Sequence, residues 1–222
     1  MVRTREKALT ERKFELLLEG ARRISDPDRQ LEATAVILIG GRLGLRPGEI
    51  THLSNSWVDA ERHMIQVPEH HPCQKGRNGG LCGYCRQAVE QRLDYGPDRS
   101  FEELADRYWV PKTSAAVRDV PYHFSPRIEV VIDLLMDAHD GWPYSFSTLK
   151  RRLETAVDHA PSLENDATSP HGLRATAASY HAGRGLEMAA LRAMFGWEDI
   201  TTARQYLNVG GAMTRRALSN IH

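Results

Sequence analysis

The sequence HGLRATAASY, residues 171–180, begins with a histidine and an arginine and continues with small residues that favour a helix. The start of a helix carries partial positive charge, so His171 and Arg174 are unfavourable there unless an anion is bound. Helix N-termini bind phosphate groups well through their unpaired N–H groups. The stretch therefore predicts a helix whose start faces a phosphate. The alternative is an exposed surface helix after the turn TSP, residues 168–170.

Length and composition exclude several classes of protein. The 222 residues are 41% hydrophobic and suggest one large domain, or one domain with an insertion. No apolar run approaches the roughly 18 residues of a membrane span. The charged N-terminus MVRTREKALTERKFELL lacks the apolar core of a signal peptide, so we expect a cytoplasmic protein. The net charge of zero gives no direct support for a nucleic-acid partner.

The pattern of apolar residues and helix breakers predicts a mainly α fold with a small antiparallel β-sheet. We expect strands in HMIQVP, residues 63–68, and a β-hairpin of two strands in RYWVPKTSAAVRDVPYH, residues 107–123. The predicted helices cover residues 9–23 with Thr10 as the N-cap, 26–43, a short segment from Pro47, about 125–139, 145–159, and 171–222 with breaks.

Polar side chains follow one another at the ends of these predicted elements. Besides His171 and Arg174, they are Arg46 and Glu49 in GLRPGE, Lys112 in the hairpin, Trp197 in FGWED and Tyr206 in TTARQYLNV. The cationic groups and the indole N–H can donate hydrogen bonds to phosphate oxygens. The tyrosine hydroxyl is a candidate nucleophile.

Four segments in this order resemble the tyrosine recombinases, also called phage integrases. They are GLRPGEITHL (44–53), VPKTSAAVRDVP (110–121), HGLRATAASY and MFGWEDITTARQYLNV (194–209). The resemblance implies the tyrosine recombinase catalytic-domain fold over residues 1–222. It also implies site-specific cleavage and rejoining of double-stranded DNA through a 3′-phosphotyrosyl intermediate. Self-association on DNA and association with the nucleoid are further expectations.

The resemblance also assigns roles to individual residues. Arg46 and Arg174 match the two arginines that clamp the scissile phosphate. His171 matches a histidine that assists proton transfer. Lys112 matches the hairpin lysine that protonates the leaving 5′-hydroxyl, although the second basic residue usual in that turn is missing. Tyr206 matches the nucleophile.

Trp197 and Glu49 are two further positions of the family pattern. Trp197 stands where most family members have histidine, and its indole can donate one hydrogen bond but cannot move a proton. Glu49 matches an acidic neighbour of the first arginine, and an acid that only stabilises the start of its helix is the alternative. The resemblance implies that catalysis needs no cofactor, because arginine and lysine supply the positive charge.

Two other functions remain open at this point. One is a DNA-binding regulator descended from a recombinase, without strand transfer; the other is a type IB topoisomerase. From the resemblance we expect this sequence to begin almost directly at the catalytic domain, without the family's N-terminal DNA-clamping domain. We therefore expect weak DNA affinity from this chain alone.

Residues 69–107 are an expected insertion that carries all three cysteines, beginning EHHPCQKGRNGGLCGYCRQ. Cys82 and Cys85 have the spacing of a zinc knuckle, and Cys73 is a third thiolate ligand. His71, slightly favoured over His70, completes a tetrahedral structural zinc site. Free thiols, or a Cys82–Cys85 disulfide, are the alternatives.

The zinc ion is expected to hold a long loop that has no core of its own. Its removal is expected to leave cleavage chemistry nearly intact, because none of the catalytic candidates belongs to the insertion. The basic residues beside the cysteines, Lys75, Arg77 and Arg86, are expected to be solvated, with DNA contact as the alternative.

Overall fold

Helices make up most of the computed structural model, which describes residues 8–95, 99–160, 163 and 168–206. The helices are α1 (Glu11–Arg22), α2 (Pro27–Leu38), α3 (Pro47–His52), α4 (Gly83–Tyr95), α5 (Phe101–Ala105), α6 (Pro126–His139), α7 (Phe146–Asp158), α8 (Pro170–Gly183), α9 (Met188–Phe195) and α10 (Ile200–Arg204). The strands β1 (Val58–Asp59), β2 (Met64–Val67) and β3 (Arg118–Pro121) form one antiparallel sheet. The predicted fold class is confirmed. The last part of the predicted helical region, residues 207–222, lies outside the described residues.

Polar side chains cap the first two helices. Thr10 accepts a hydrogen bond from the Lys13 N–H at 3.3 Å, as the sequence predicted, and α1 begins at the next residue. Asp26 accepts from the Arg29 N–H at 2.9 Å at the start of α2. Both caps satisfy N–H groups that have no partner inside the helix.

Helix α2 lies at the centre of the core, with α1, α6 and α7 packed around it. It continues into a π-helix, Ile39–Leu43, all of whose residues are buried and against which α8 packs. Gly44, with a φ of 68°, ends this segment. The predicted helix over residues 26–43 is therefore present, with a π-helical last turn that the sequence did not indicate.

The sheet differs from the prediction in one strand pairing. Ile65 of β2 lies opposite Val120 of β3, and both side chains are fully buried. The predicted hairpin over residues 107–123 is wrong, because only β3 is a strand there and it pairs with β2. Residues 108–109 instead exchange backbone hydrogen bonds with His71 and Cys73 inside the insertion.

The insertion between β2 and β3 packs onto the rest of the protein. Up to Cys82 its regular structure is one 3-10 turn, Arg77–Gly79, after which it forms α4 and α5. Cys73, Cys85, Val89 and Leu104 are buried in the same apolar cluster as the main core. The insertion is therefore not a free loop, because its buried residues share the core of the domain. None of the helices in the described ranges combines the length and apolar character needed to cross a membrane.

Candidate active site and metal cluster

The end of helix α9 presents three consecutive backbone carbonyls, and each accepts a hydrogen bond from an arginine. The pairs are Arg118 Nε to Met194 at 2.7 Å, Arg174 Nη2 to Phe195, and Arg46 Nη2 to Gly196 at 2.7 Å. The last carbonyls of a helix lack partners within it and carry partial negative charge, so cations stabilise them. Because the arginines come from β3, α8 and the N-cap of α3, the end of α9 gathers three distant parts of the chain.

Glu49 lies among these arginines and is 1% exposed. Its two carboxylate oxygens accept hydrogen bonds from Arg118 at 2.8 Å each, and Oε1 also accepts from Arg46 Nη1 at 2.8 Å. Burial raises the pKa of Glu49, but the hydrogen bonds and charge of Arg118 and the charges of Arg174 and Arg46 outweigh it and lower the pKa to about 2. The ionised carboxylate therefore fixes the orientation of both guanidinium groups that it contacts.

The three arginines differ in exposure and in how many of their N–H groups already donate hydrogen bonds to protein oxygens. Arg118 is 5% exposed on its side chain and directs Nε, Nη1 and Nη2 to protein oxygens. Within the described ranges, Arg174 donates two of its five N–H groups to protein, to Gly44 O and Phe195 O. The Arg46 side chain is 23% exposed. Arg46 and Arg174 are therefore better placed than Arg118 to bind an added anion.

Arg174 stays cationic at neutral pH despite its burial. Burial lowers the pKa of Arg174 to about 9, while the charge of Glu49 raises it. The guanidinium carbon also lies 5.2 Å from the ring centroid of Phe195 and 5.9 Å from that of Trp197. A half-buried positive charge held by carbonyls and aromatic faces, near a carboxylate, is an anion-binding arrangement.

Two glycines in the left-handed region supply carbonyls to this site. Gly44 (φ 68°) accepts from Arg174, and Gly196 (φ 56°) accepts from Arg46. A Cβ on Gly196 would lie 2.6 Å from the Ala115 carbonyl oxygen. Only glycine satisfies both this backbone angle and the close approach, so the turn after α9 depends on it.

Tyr206 ends a stack of three aromatic rings. Its ring lies parallel to that of Trp197, with centroids 5.3 Å apart and planes 5° apart, and Trp197 stacks in turn on Phe195 at 4.9 Å. Tyr206 is 8% exposed. Burial raises the pKa of its phenol, and the positive charge of Arg174 acts in the opposite direction.

His171 and Lys112 lie on exposed positions beside this arrangement. His171 is the second residue of α8, whose N-cap Ser169 accepts from the Gly172 N–H at 3.0 Å. Lys112 precedes the 3-10 turn Ser114–Ala116, which contacts Gly196. Lys112 lines a cleft of about 410 Å³ whose other charged residues are Glu69, Arg92, Arg99 and Arg107.

The predicted site residues fall into two groups. Arg46, Glu49, Arg174, Trp197 and Tyr206 are joined by contacts around the end of α9, whereas His171 and Lys112 lie at exposed positions, in the first turn of α8 and before the turn Ser114–Ala116. Sequence reasoning missed Arg118. Its position in VRDVP, two residues before the buried Val120, places it on the inward side of β3, and a charged residue on a buried strand face was the available signal.

The three cysteines surround a histidine that lies outside the insertion. The ligand atoms of His52, Cys73, Cys82 and Cys85 all lie within 4.8 Å of one another. His52 Nε2 is 3.3 Å from Cys85 Sγ and 3.7 Å from Cys82 Sγ, and its Nδ1 is 2.7 Å from Gly48 O. All three cysteines are free thiols, so no Cys82–Cys85 disulfide is present.

His71, the expected fourth ligand, is replaced by His52 in this cluster. His71 Nδ1 instead accepts a hydrogen bond from the Trp57 indole at 3.3 Å, and His71 is not among the residues whose ligand atoms come together. Lys75 is also not solvated, because its ammonium group donates to the carbonyls of Thr51 and Trp142. Burial lowers the pKa of Lys75 to about 8, while the neighbouring sulfur atoms raise it.

Comparisons with known proteins identify the family. A solved structure of the Tn1549 transposon integrase in complex with transposon right end DNA is similar to this chain, with 17% identity and a TM-score of 0.63 over 96% of this chain and 65% of that chain. The XerH site-specific recombinase bound to difH substrate is similar with 17% identity and a TM-score of 0.52, over 97% of this chain and 55% of that chain. This chain thus spans less than two thirds of these two proteins, and no curated protein sequence matches it significantly. The likeness shows a shared fold, and because the phage integrase family profile matches residues 7–211, the chain belongs to the phage integrase family, the tyrosine recombinases.

Proposed function

We propose that this protein is a site-specific DNA recombinase that cleaves and rejoins strands through a 3′-phosphotyrosyl intermediate. The observation that carries the proposal is the stack of Tyr206 on Trp197, directly after the helix end that holds Arg46 and Arg174. A phenol beside two guanidinium groups suits nucleophilic attack on an anionic phosphodiester.

The two arginines bind the scissile phosphate. Arg46 and Arg174 donate N–H groups to its non-bridging oxygens, where negative charge increases in the transition state. Glu49 and the α9 carbonyls hold both guanidinium groups before DNA arrives, so little reorganisation is needed at the moment of reaction. Arg118 acts through Glu49 and is a positioning residue.

Cleavage forms one bond to phosphorus, breaks another, and transfers two protons. The Tyr206 oxygen attacks phosphorus, the bond from phosphorus to the 5′-oxygen breaks, and a 3′-phosphotyrosine and a 5′-hydroxyl result. Burial favours the neutral phenol, so attack requires a proton acceptor, and His171 takes this role. Lys112 protonates the leaving oxygen. Rejoining reverses each step with a 5′-hydroxyl from another strand, so no external energy source or cofactor is required.

Trp197 holds the nucleophile in place. Its indole supports the Tyr206 ring on one face and contacts Phe195 on the other. The indole N–H is suited to donate to a phosphate oxygen, but it cannot accept a proton. Proton transfer therefore rests on His171 and Lys112.

Double-stranded DNA is the proposed partner, and the cleft beside Lys112 contributes to its binding. Arg92, Arg99 and Arg107 face this cleft with Lys112, against one carboxylate, Glu69. This excess of positive charge fits the phosphate backbone next to the cleaved position. Exchange of strands between two DNA sites requires several Tyr206 nucleophiles, so the chain self-associates on DNA. We place this activity in the cytoplasm, at the nucleoid.

A structural zinc ion fits the cluster of His52, Cys73, Cys82 and Cys85. Zinc–ligand bonds of about 2.3 Å to sulfur and 2.0–2.1 Å to nitrogen imply about 3.6 Å between sulfur and nitrogen in a tetrahedral site. The observed separations from His52 Nε2, 3.3 and 3.7 Å, lie on either side of that value. The Nδ1–H bond to Gly48 O supplies the outer contact that metal-bound histidines typically make.

Covalent trapping on DNA tests the proposed activity. The protein is incubated with a pool of nicked suicide duplexes that have a randomised central sequence, and adducts are separated on a denaturing gel. We expect a protein–DNA adduct that protease digestion removes. Tyr206→Phe should abolish it while retaining DNA binding, and Tyr180→Phe is the matched control that should retain it. An adduct that persists in Tyr206→Phe would overturn the assignment of the nucleophile.

A further inference from the structure

The segment between β2 and β3, which contains the insertion, contacts helix α3 at three places. His52, the last residue of α3, lies among the insertion's cysteines. Lys75 donates to the carbonyl of Thr51 in the last turn of α3. The Trp109 ring stacks on His52 with centroids 5.4 Å apart and planes at 17°, and its Nε1 would lie 3.4 Å from a Cβ on Gly48.

Helix α3 is also the element that carries part of the proposed phosphate clamp. Arg46 is its N-cap, and Glu49 is its third residue, which accepts the Arg46 backbone N–H at 2.7 Å. The helix has six residues, a length of about 9 Å, and helices this short are not stable by themselves. Its position is therefore set by contacts with the rest of the protein: Ile50 packs into the core, the arginine network holds the first turn, and the His52 cluster holds the last turn.

The cluster at the last turn suits a dication in charge as well as in geometry. Three buried or half-buried thiolates repel one another, and a dication with three thiolates leaves one net negative charge. The half-buried ammonium group of Lys75, whose hydrogen bonds hold it at the end of α3, supplies a compensating positive charge. Without the metal, the sulfur atoms have only weak hydrogen bonds with which to hold His52.

We propose that a zinc ion bound by His52, Cys73, Cys82 and Cys85 anchors the insertion to helix α3 and thereby positions Arg46 and Glu49 for phosphate binding. This inference rests on the recombinase proposed above, and it reverses the sequence-based expectation that zinc loss leaves cleavage intact. The reversal follows from His52: with His71 as the ligand, the metal would join only parts of the insertion to each other.

The test compares zinc content, amide hydrogen exchange and adduct formation in the same preparations. Wild type, zinc-stripped wild type, Cys82→Ser and His71→Gln are each measured. His71→Gln is the matched control, because glutamine keeps an acceptor for the Trp57 indole. We expect about one zinc per chain in wild type and His71→Gln, and little in Cys82→Ser.

Loss of zinc should accelerate exchange of the α3 amides by about tenfold or more. The amides of α6, which lies outside the cluster, should be unchanged and thereby show that the domain stays folded. Adduct formation should fall by about 100-fold, since a misplacement of about 1 Å can cost this much. Restoring zinc to the stripped wild type should restore both the slow exchange of the α3 amides and the rate of adduct formation.

Three results would overturn the inference. If purified wild type contains no zinc, the proposed metal site does not exist. If His71→Gln loses its zinc, His71 rather than His52 is the fourth ligand. Zinc loss with unchanged α3 exchange refutes the anchoring. Because exchange is measured without DNA, an absence of adducts in every preparation would count against the recombinase activity and leave the anchoring result valid.

Discussion

Replacing Glu49 with glutamine tests whether one buried carboxylate organises the arginines. The fall in the Glu49 pKa from its ordinary 4.5 to about 2 corresponds to about 3 kcal/mol of stabilisation of the ionised form. Glu49→Gln removes this charge and leaves Arg118 and Arg46 without their shared counter-ion. We expect the free energy of unfolding at pH 7 to fall by about 3–5 kcal/mol, as for other broken buried ion pairs.

Glu15→Gln is the matched control for this substitution. Glu15 also accepts two hydrogen bonds from one arginine, Arg127, at 2.9 Å each, but both side chains are more than 40% exposed. Glu15 also lies 3.8 Å from the buried Arg42, but Glu11 pairs with that arginine at 2.8 Å and would remain. Exposed pairs contribute about 0–1 kcal/mol, so Glu15→Gln should change stability by no more than this. Urea denaturation of both variants and wild type, followed by circular dichroism, gives the comparison.

The pH dependence of stability gives a second test of the role of Glu49, because the direction of the change is fixed by its lowered pKa. Because the folded-state pKa of Glu49 is depressed, its contribution is fully present above pH 4.5 and is lost as the pH falls through about 2. The stability gap between wild type and Glu49→Gln should therefore narrow as the pH is lowered from 4.5 towards 2. If Glu49→Gln and Glu15→Gln lower the free energy of unfolding equally at pH 7, Glu49 does not organise the arginines. The same follows if the stability difference between wild type and Glu49→Gln does not change with pH.

The remaining predictions concern the turn after α9 and the DNA surface. Gly196→Ala should lower both stability and adduct formation, because its φ is 56° and the new Cβ would lie 2.6 Å from the Ala115 oxygen, whereas Gly183→Ala, with open space around it, should not destabilise in thermal melts. Trp197→Phe keeps an aromatic stack but loses the N–H donor, so it should slow adduct formation; a rate equal to wild type would show that only packing matters. Arg107→Gln should weaken DNA binding and reduce the slope of log affinity against log salt by about 1, and an unchanged slope would remove the cleft from the DNA contact.

The sequence predicted the elements whose signals are local. Thr10 and Asp26 mark helix starts because a cap acts within three residues, and proline at position 47 marks the start of α3. The predicted hairpin is wrong because strand pairing depends on residues far apart in the sequence. The partner of β3 is β2, which ends at Val67, before the insertion, while Trp109 pairs with His71 instead.

The candidate site shows the same limit. The family resemblance drew attention to Arg46, Arg174 and Tyr206, which the fold gathers around one helix end. The sequence does not indicate His52 as a ligand, because it lies more than twenty residues before Cys73 and only folding brings the end of α3 to Cys85. Arg118 was missed because its partners, Glu49 and the end of α9, are separated from it by about seventy residues on each side.

Locating the covalent bond by mass spectrometry shows whether Tyr206 is the nucleophile. The trapped adduct is digested with protease and nuclease, and the peptide carrying a residual nucleotide is fragmented. We expect a single nucleotide attached through its 3′-phosphate to Tyr206. A nucleotide on any other residue, or attachment through a 5′-phosphate, would contradict it.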